Sequence, residues 1–289
     1  MNVAPPRVLT IAGSDSGGGA GIQADLRTLF ACGVHGCTAL TAVTVQNSLG
    51  VTGVSEVPAD VVAAQIVSVA SDIGVQAAKT GMLASAEIIE AVAPALDRVG
   101  IGSGGVPFVV DPVSASMHGN QLLADNALDA LRGLLFPRAT LVTPNLDEVR
   151  LITGITVKDR ADQRVAAEAL HALGPEWVLV KGGHMWDDPE CLDLLYDGRS
   201  FVELPGPRYD TEHTHGSGDT LASSISSALA RGASVPEAVR FGKEFIVRSV
   251  AAAYPLGAGS GPVSPFWSLE KPLDRPTVLD NRADQRGQG

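Results

Sequence analysis

Arg7-Val-Leu-Thr-Ile-Ala-Gly-Ser-Asp-Ser-Gly-Gly-Gly-Ala-Gly21 joins an apolar run to a glycine-rich turn, and a segment with helical spacing, residues 22–31, follows at once. An apolar run closed by such a turn reads as a buried strand, and the turn as its passage into a helix. The same unit recurs along the chain. Residues 36–48 are rich in Thr and Val and read as a strand, with 50–57 as a second. Residues 58–71 and 84–99 carry helical periodicity, with a short strand and turn between them over 74–83. Residues 106–112 form a buried apolar run, followed by a loop over 113–120 that contains Met117-His-Gly119 and by a helix over 121–136. Residues 139–154 repeat strand, proline turn and helix. A helix over 162–173, a strand over 176–184, a hairpin of 191–197 with 200–204, and helices starting at Asp219 and at Val235 complete the series. Strands alternating with helices imply right-handed βαβ units. The fold class is therefore α/β, a doubly wound, mainly parallel sheet with helices on both faces in three layers and the hairpin at an edge.

Length and composition narrow the function. The 289 residues suit one large domain, and 45% hydrophobic with 18% charged residues is ordinary for a globular enzyme. A net charge of -11 without any Lys/Arg run argues against nucleic acid and for a small substrate. An anionic ligand would have to be held by local devices, such as helix ends, a metal ion or a few placed cations. No signal peptide and no stretch of about 18 apolar residues is seen, so the expectation is a cytoplasmic protein without membrane contact. Cys32, Cys37 and Cys191 lack the spacing of a disulfide framework or zinc site. Residues 1–268 are expected to form one domain, and the Gly-, Pro- and charge-rich 269–289 a disordered tail.

Polar and glycine residues gather at strand carboxyl ends, where open α/β sheets bind ligands. Residues 14–21 miss the Walker pattern for want of a lysine, and miss Gly-x-Gly-x-x-Gly because Ile22 stands at the last glycine. Asp25, one turn on, suits either the crevice or a solvated first turn. Gln46 ends its strand and could pair with a heterocycle bearing an amino group and a ring nitrogen. Asp111 precedes Pro112 at a strand end, where a carboxylate can hold a divalent ion or can close a turn. Asn145 with Glu148 three residues on has the form of a capping box. Lys181 also ends an apolar strand. The decisive stretch is His213-Thr-His-Gly-Ser-Gly-Asp-Thr220, which opens a helix. Gly216 and Gly218 let a ligand approach the backbone, and the helix start suits an anion. Asp219 there is either the base of a phosphoryl transfer or a simple helix cap.

The motifs Ala-Gly-Ser-Asp-Ser-Gly-Gly-Gly-Ala-Gly-Ile-Gln-Ala-Asp25, Thr-Ala-Val-Thr-Val-Gln-Asn47, Lys-Thr-Gly-Met82, Val-Asp-Pro112, Thr-Pro-Asn-Leu-Asp-Glu148, Val-Lys-Gly-Gly-His184 and Gly-Ser-Gly-Asp219 together resemble the bifunctional hydroxymethylpyrimidine/phosphomethylpyrimidine kinases of thiamine biosynthesis, in the ribokinase-like superfamily. The resemblance runs from about Arg7 to Pro265. It implies a ribokinase-like fold, ATP as co-substrate, Mg2+, and two successive phosphorylations of 4-amino-5-hydroxymethyl-2-methylpyrimidine. It further implies that Gln46, Gly13, Asp25 and Met82 bind the pyrimidine, and that Gly216, Ser217 and Gly218 form an anion hole beside the base Asp219. Asp111, Thr143, Asn145 and Lys181 would contact ATP and its phosphates, and Glu148 with Asp111 the magnesium ion. A homodimer is implied as well. Many pyrimidine kinases of this family carry cysteine where Asp219 stands, whereas the wider superfamily carries aspartate. That departure keeps a pyridoxal kinase of the same fold as the alternative.

Overall fold

The structure, a computed structural model, describes residues 4–113, 123–183, 185 and 190–269. Its sheet has nine strands in the order β3-β2-β1-β4-β5-β6-β7-β8-β9. They are β1 (Arg7–Ser14), β2 (His35–Asn47), β3 (Gly50–Glu56), β4 (Ala77–Thr80), β5 (Phe108–Val110), β6 (Leu141–Val142), β7 (Trp177–Val180), β8 (Asp193–Tyr196) and β9 (Phe201–Leu204). The six strands from β2 to β7 are parallel, and β3, β8 and β9 add antiparallel edges. The expected edge hairpin is β8–β9.

Alternation along each buried strand decides which layer it feeds. Leu9, Ile11, Ala78, Phe108, Val110, Val142, Val178 and Val180 face one helical layer. That layer consists of α2 (Ala59–Asp72), α3 (Ala86–Arg98), α4 (Asp125–Ala130), α5 (Leu146–Thr153) and α6 (Arg160–His171). Val8, Ala77, Val109, Leu141 and Leu179 face the other, made of α1 (Gly21–Ala31), α7 (Ser217–Ala230) and α8 (Val235–Ala251). A strand buried on both faces reads as a continuous apolar run, which is why β1 and β5 stood out in the sequence.

Two helices differ from expectation. The helix expected over 121–136 is α4 followed by a π-type turn, Leu131–Leu135, and a 3-10 turn, Phe136–Arg138. Pro137, without an N–H, cannot continue an α-helical ladder. The helix α6 begins earlier than 162, because Asp159 caps it by accepting from the Ala161 and Asp162 N–H groups. Residues 257–269 are folded against the domain: Pro262 bridges to His215, and the Trp267 indole N–H donates to Ser249 Oγ at 2.9 Å. The expected tail lies outside the described residues from 270 on, as do the Met117-His-Gly119 loop and His184.

β1 leads to β2 on one side of the sheet, while β4 lies on its other side. The strand order therefore reverses between β1 and β4, and a crevice opens beyond their carboxyl ends, the usual ligand position in such sheets. The helix α7 starts over this crevice.

Candidate active site

The entrance to α7 is set by Gly216, its N-cap, in the left-handed region at φ 74°. A Cβ there would run into the Gly19 carbonyl, so only glycine lets the two loops close on each other. Ser217 N–H is used by the Thr214 carbonyl at 3.1 Å. The N–H groups of Gly218 and Asp219 lie in the first turn, where a helix has no acceptor of its own for them. Asp219 is not the cap. Its Oδ2 accepts from the Gly21 N–H at 3.2 Å, and its Oδ1 lies 3.4 Å from Lys79 Nζ.

Lys79 is wholly buried on β4 and pairs with Asp25 at 2.9 Å. Asp25 is itself fully enclosed and also accepts from Thr10 Oγ1 at 2.5 Å and Ser223 Oγ at 2.7 Å. The expected place for Asp25, in the pocket wall, is thereby corrected: three donors from β1, β4 and α7 hold it inside, because an ionised carboxylate in the interior must be fully paired. Burial works against the charge of Lys79, and the fields of Asp25, Asp219 and Asp111 outweigh it, so its pKa rises above the ordinary value. Burial pushes the Asp219 carboxyl up to about 6; Lys79 opposes the rise, while Asp25 and Asp111 add to it.

A second cluster stands at the ends of β5, β6 and β7. Lys181 Nζ is 3.0 Å from Asp111 Oδ1 and 3.9 Å from Glu148 Oε2. Thr143 Oγ1 donates to Asp111 at 3.0 Å. The Asn145 side chain accepts from the Glu148 N–H at 2.9 Å, and Glu148 accepts from the Asn145 N–H at 2.7 Å, a complete capping box at the start of α5. The lysine is held charged here too: burial opposes it, and Asp111 and Glu148 more than offset burial. A Cβ on Gly218 would lie 3.1 Å from Asp111 Oδ2 and 3.5 Å from Lys181 Nζ. The α7 entrance thus touches this cluster on one side and Lys79 on the other.

Among the described residues no group of three or more His, Cys, Asp or Glu could hold a metal alone. Two buried carboxylates sharing one lysine do fit magnesium, which commonly takes one or two carboxylates and completes its shell with phosphate oxygens and water.

The expected pyrimidine side is brought together in part. Gly13 packs on Met82, since a Cβ on Gly13 would sit 2.6 Å from Met82 Cε, and the Met82 carbonyl accepts from Thr41 Oγ1 at 2.7 Å. Gln46 lies 3.3 Å from His215 Nε2, which in turn lies 3.1 Å from Asp15 Oδ2. Asp15 also accepts from the N–H groups of Gly17, Gly19 and Ala20, so it ties the glycine turn to the α7 entrance. Burial opposes its charge, and the bonds from His215 and the backbone hold its carboxyl below the ordinary value. Lys79, Asp15 and His215 lie within the quoted motifs, but sequence reading assigned none of them a role.

Comparison with known proteins identifies the family. A family model described as phosphomethylpyrimidine kinase matches residues 15–264. The chain is 62% identical over 265 residues to the hydroxymethylpyrimidine/phosphomethylpyrimidine kinase of Mycobacterium tuberculosis, covering 92% of this chain and 95% of that one. Among solved structures it resembles Bacillus subtilis pyridoxal kinase in an ADP complex, with TM-score 0.84 and 37% identity over 91% of this chain and 98% of that one. It also resembles a phosphomethylpyrimidine kinase from Clostridium difficile, with TM-score 0.75 and 38% identity over 85% and 99% of the two chains. A crevice at the sheet's switch point, a glycine-opened helix start carrying an aspartate, and a match across nearly the whole domain lead to one conclusion: the chain belongs to the phosphomethylpyrimidine kinase family, ATP-dependent phosphotransferases of ribokinase-like fold.

Proposed function

We propose that this protein uses ATP to phosphorylate 4-amino-5-hydroxymethyl-2-methylpyrimidine and then phosphorylates the monophosphate to the diphosphate in the same crevice, for thiamine biosynthesis. The observation that carries the reading is Asp219, held in the first turn of α7 by Gly21 and Lys79 and not spent as a cap. In the first transfer the substrate hydroxyl attacks the γ-phosphorus, its proton passes to Asp219, and the bond to the ADP oxygen breaks with its electron pair leaving on ADP. The Gly218 and Asp219 N–H groups at the Gly216 turn stabilise charge on the transferring phosphoryl oxygens. Lys181, Thr143 and Asn145 orient the triphosphate, with Lys181 contributing a point charge. Asp111 and Glu148 would hold the magnesium ion, which would neutralise phosphate charge. Gln46 reads the amino group and ring nitrogen, with Gly13 and Met82 against the ring. Asp25 serves from behind, through Lys79.

The second acceptor is a phosphate oxygen, already largely ionised at pH 7 given a second pKa of about 6. It needs the same anion hole and no base. The test is ATP consumption by the purified protein with magnesium and, in turn, hydroxymethylpyrimidine, its monophosphate and pyridoxal. Turnover of both pyrimidines with poor use of pyridoxal is expected; turnover of pyridoxal alone would reverse the substrate assignment and leave Asp219 in place. A homodimer in the cytoplasm belongs to the same reading. The β2–β3 ribbon leaves Val43, Val45, Val51 and Val54 exposed, and light scattering during gel filtration tests the oligomeric state. No helix among the described residues is long and apolar enough to cross a membrane.

A further inference from the structure

Two carboxylates face one buried lysine, and the structure treats them unequally. Asp25 takes three short bonds, from Thr10, Lys79 and Ser223, at 2.5 to 2.9 Å. Asp219 has only the 3.4 Å contact with the same Nζ and a 3.2 Å bond from the Gly21 N–H. Asp25 is held in place by these three bonds, and Asp219 is the loosely held partner that can exchange a bond for a substrate hydroxyl. The count of charge agrees. Asp25, Lys79 and Asp219 sum to one negative charge at rest and to zero once Asp219 has taken a proton. The charged groups around Asp219 are Lys79 from β4, Asp25 from α1, and Asp111 beyond β5, with Asp111 itself paired to Lys181.

We propose that Lys79, anchored by Asp25, is a positioning residue that aims Asp219 and keeps it ionised for the first phosphoryl transfer alone. The proposal rests on the two-step reading above, since only the first acceptor, an alcohol, must lose a proton: its O–H bond breaks as the O–P bond forms, and the proton goes to Asp219. Lys79 touches no substrate. It stands behind Asp219, and a Cβ on Gly81 would lie 3.3 Å from Lys79 Nζ and 3.5 Å from Asp219 Oδ1.

The experiment is the pH dependence of each transfer, measured separately in wild type, in K79M, and in the double variant K79M/D25N. The double variant is included because K79M leaves Asp25 as an unpaired carboxylate in the core, whereas the pair of neutral side chains fills nearly the same volume. Losing the nearer positive charge makes the carboxylate harder to form. In K79M the acid limb of the first transfer should move up by about one pH unit, with a loss in kcat of about twofold at pH 7 that grows to about tenfold at pH 5. In the double variant it should move the same way by less, since the more distant Asp25 charge is lost too. KM for ATP and the second transfer should hardly change in either variant. If K79M does not fold, the double variant decides. A limb left at the wild-type pH, or equal losses in both transfers, would overturn the proposal and leave Lys79 a purely structural residue. Wild-type turnover of the two pyrimidines, taken first, tests the functional reading separately; were pyridoxal the acceptor, the limb would be read with that alcohol instead.

Discussion

Two clusters in this crevice have the same composition, one lysine between two carboxylates, and different surroundings. In Asp25–Lys79–Asp219 the lysine has no exposed surface and one carboxylate is saturated by three donors. In Asp111–Lys181–Glu148 the lysine side chain is 14% exposed and Glu148 is engaged by a capping box. The first lysine cannot leave its partners, so its charge acts on the base beside it. The second lies at the mouth, where a triphosphate or metal ion can share its carboxylates. Burial, rather than residue type, separates a lysine that tunes a base from one that meets a ligand.

The α7 entrance stands between the two clusters, so breaking it should damage both. In Gly216→Ala the new methyl meets the Gly19 carbonyl in a left-handed turn. Both transfers should fall by about 100- to 1,000-fold, the loss typical of an anion-hole donor, in steady-state assays with either acceptor. An effect on one transfer only would mean that the turn serves the acceptor and not the phosphoryl group. Lys181→Met breaks the outer cluster alone. Loss of a charge-assisted bond of roughly 1.5–3 kcal/mol should raise KM for ATP by about 10- to 100-fold, while the acid limb of the first transfer stays in place, in contrast to the Lys79 variants.

The inner cluster has a signature in stability as well. Asp219 is held at about 6 in the fold, above an unfolded value of about 3.9. It is neutral in both states below about pH 4, and the stability of that condition is lost as pH rises through about 6. Asp219→Asn removes this loss. The variant should be more stable than wild type by about 1–3 kcal/mol at pH 8 and equal to it at pH 4, measured by urea unfolding at both pH values. A variant destabilised at pH 8 would mean that the carboxylate's bonds to Gly21 and Lys79 outweigh its burial.

Much of the frame was readable because its causes are local. The runs at β1 and β5 are apolar since both faces are covered, and Asn145 with Glu148 form their box within one turn of α5. The Gly216 to Asp219 turn announced itself by two glycines before a helix. What sequence could not show depends on distant partners. Lys79 reads as one polar residue on a four-residue strand, and Asp25 as a first-turn acid; they meet only because β4 lies against β1 beneath α1 and α7. Ser223 is inconspicuous among the serines of α7, which is buried along nearly its whole length. Ser226 and Ser227 manage there by donating to the carbonyls four residues back. Asp15 and His215, 200 positions apart, are joined by folding alone.

The central claim is that the Asp219 carboxylate is a base for the first transfer and takes no part in the second. The most direct measurement is the single-turnover rate of Asp219→Asn with hydroxymethylpyrimidine and with its monophosphate, each against wild type at pH 7.5 and saturating ATP. General-base catalysis contributes about 100- to 10,000-fold, so the first rate should fall by at least that lower figure while the second falls far less. Equal losses with the two acceptors would contradict the account and reduce Asp219 to a positioning residue of the helix entrance.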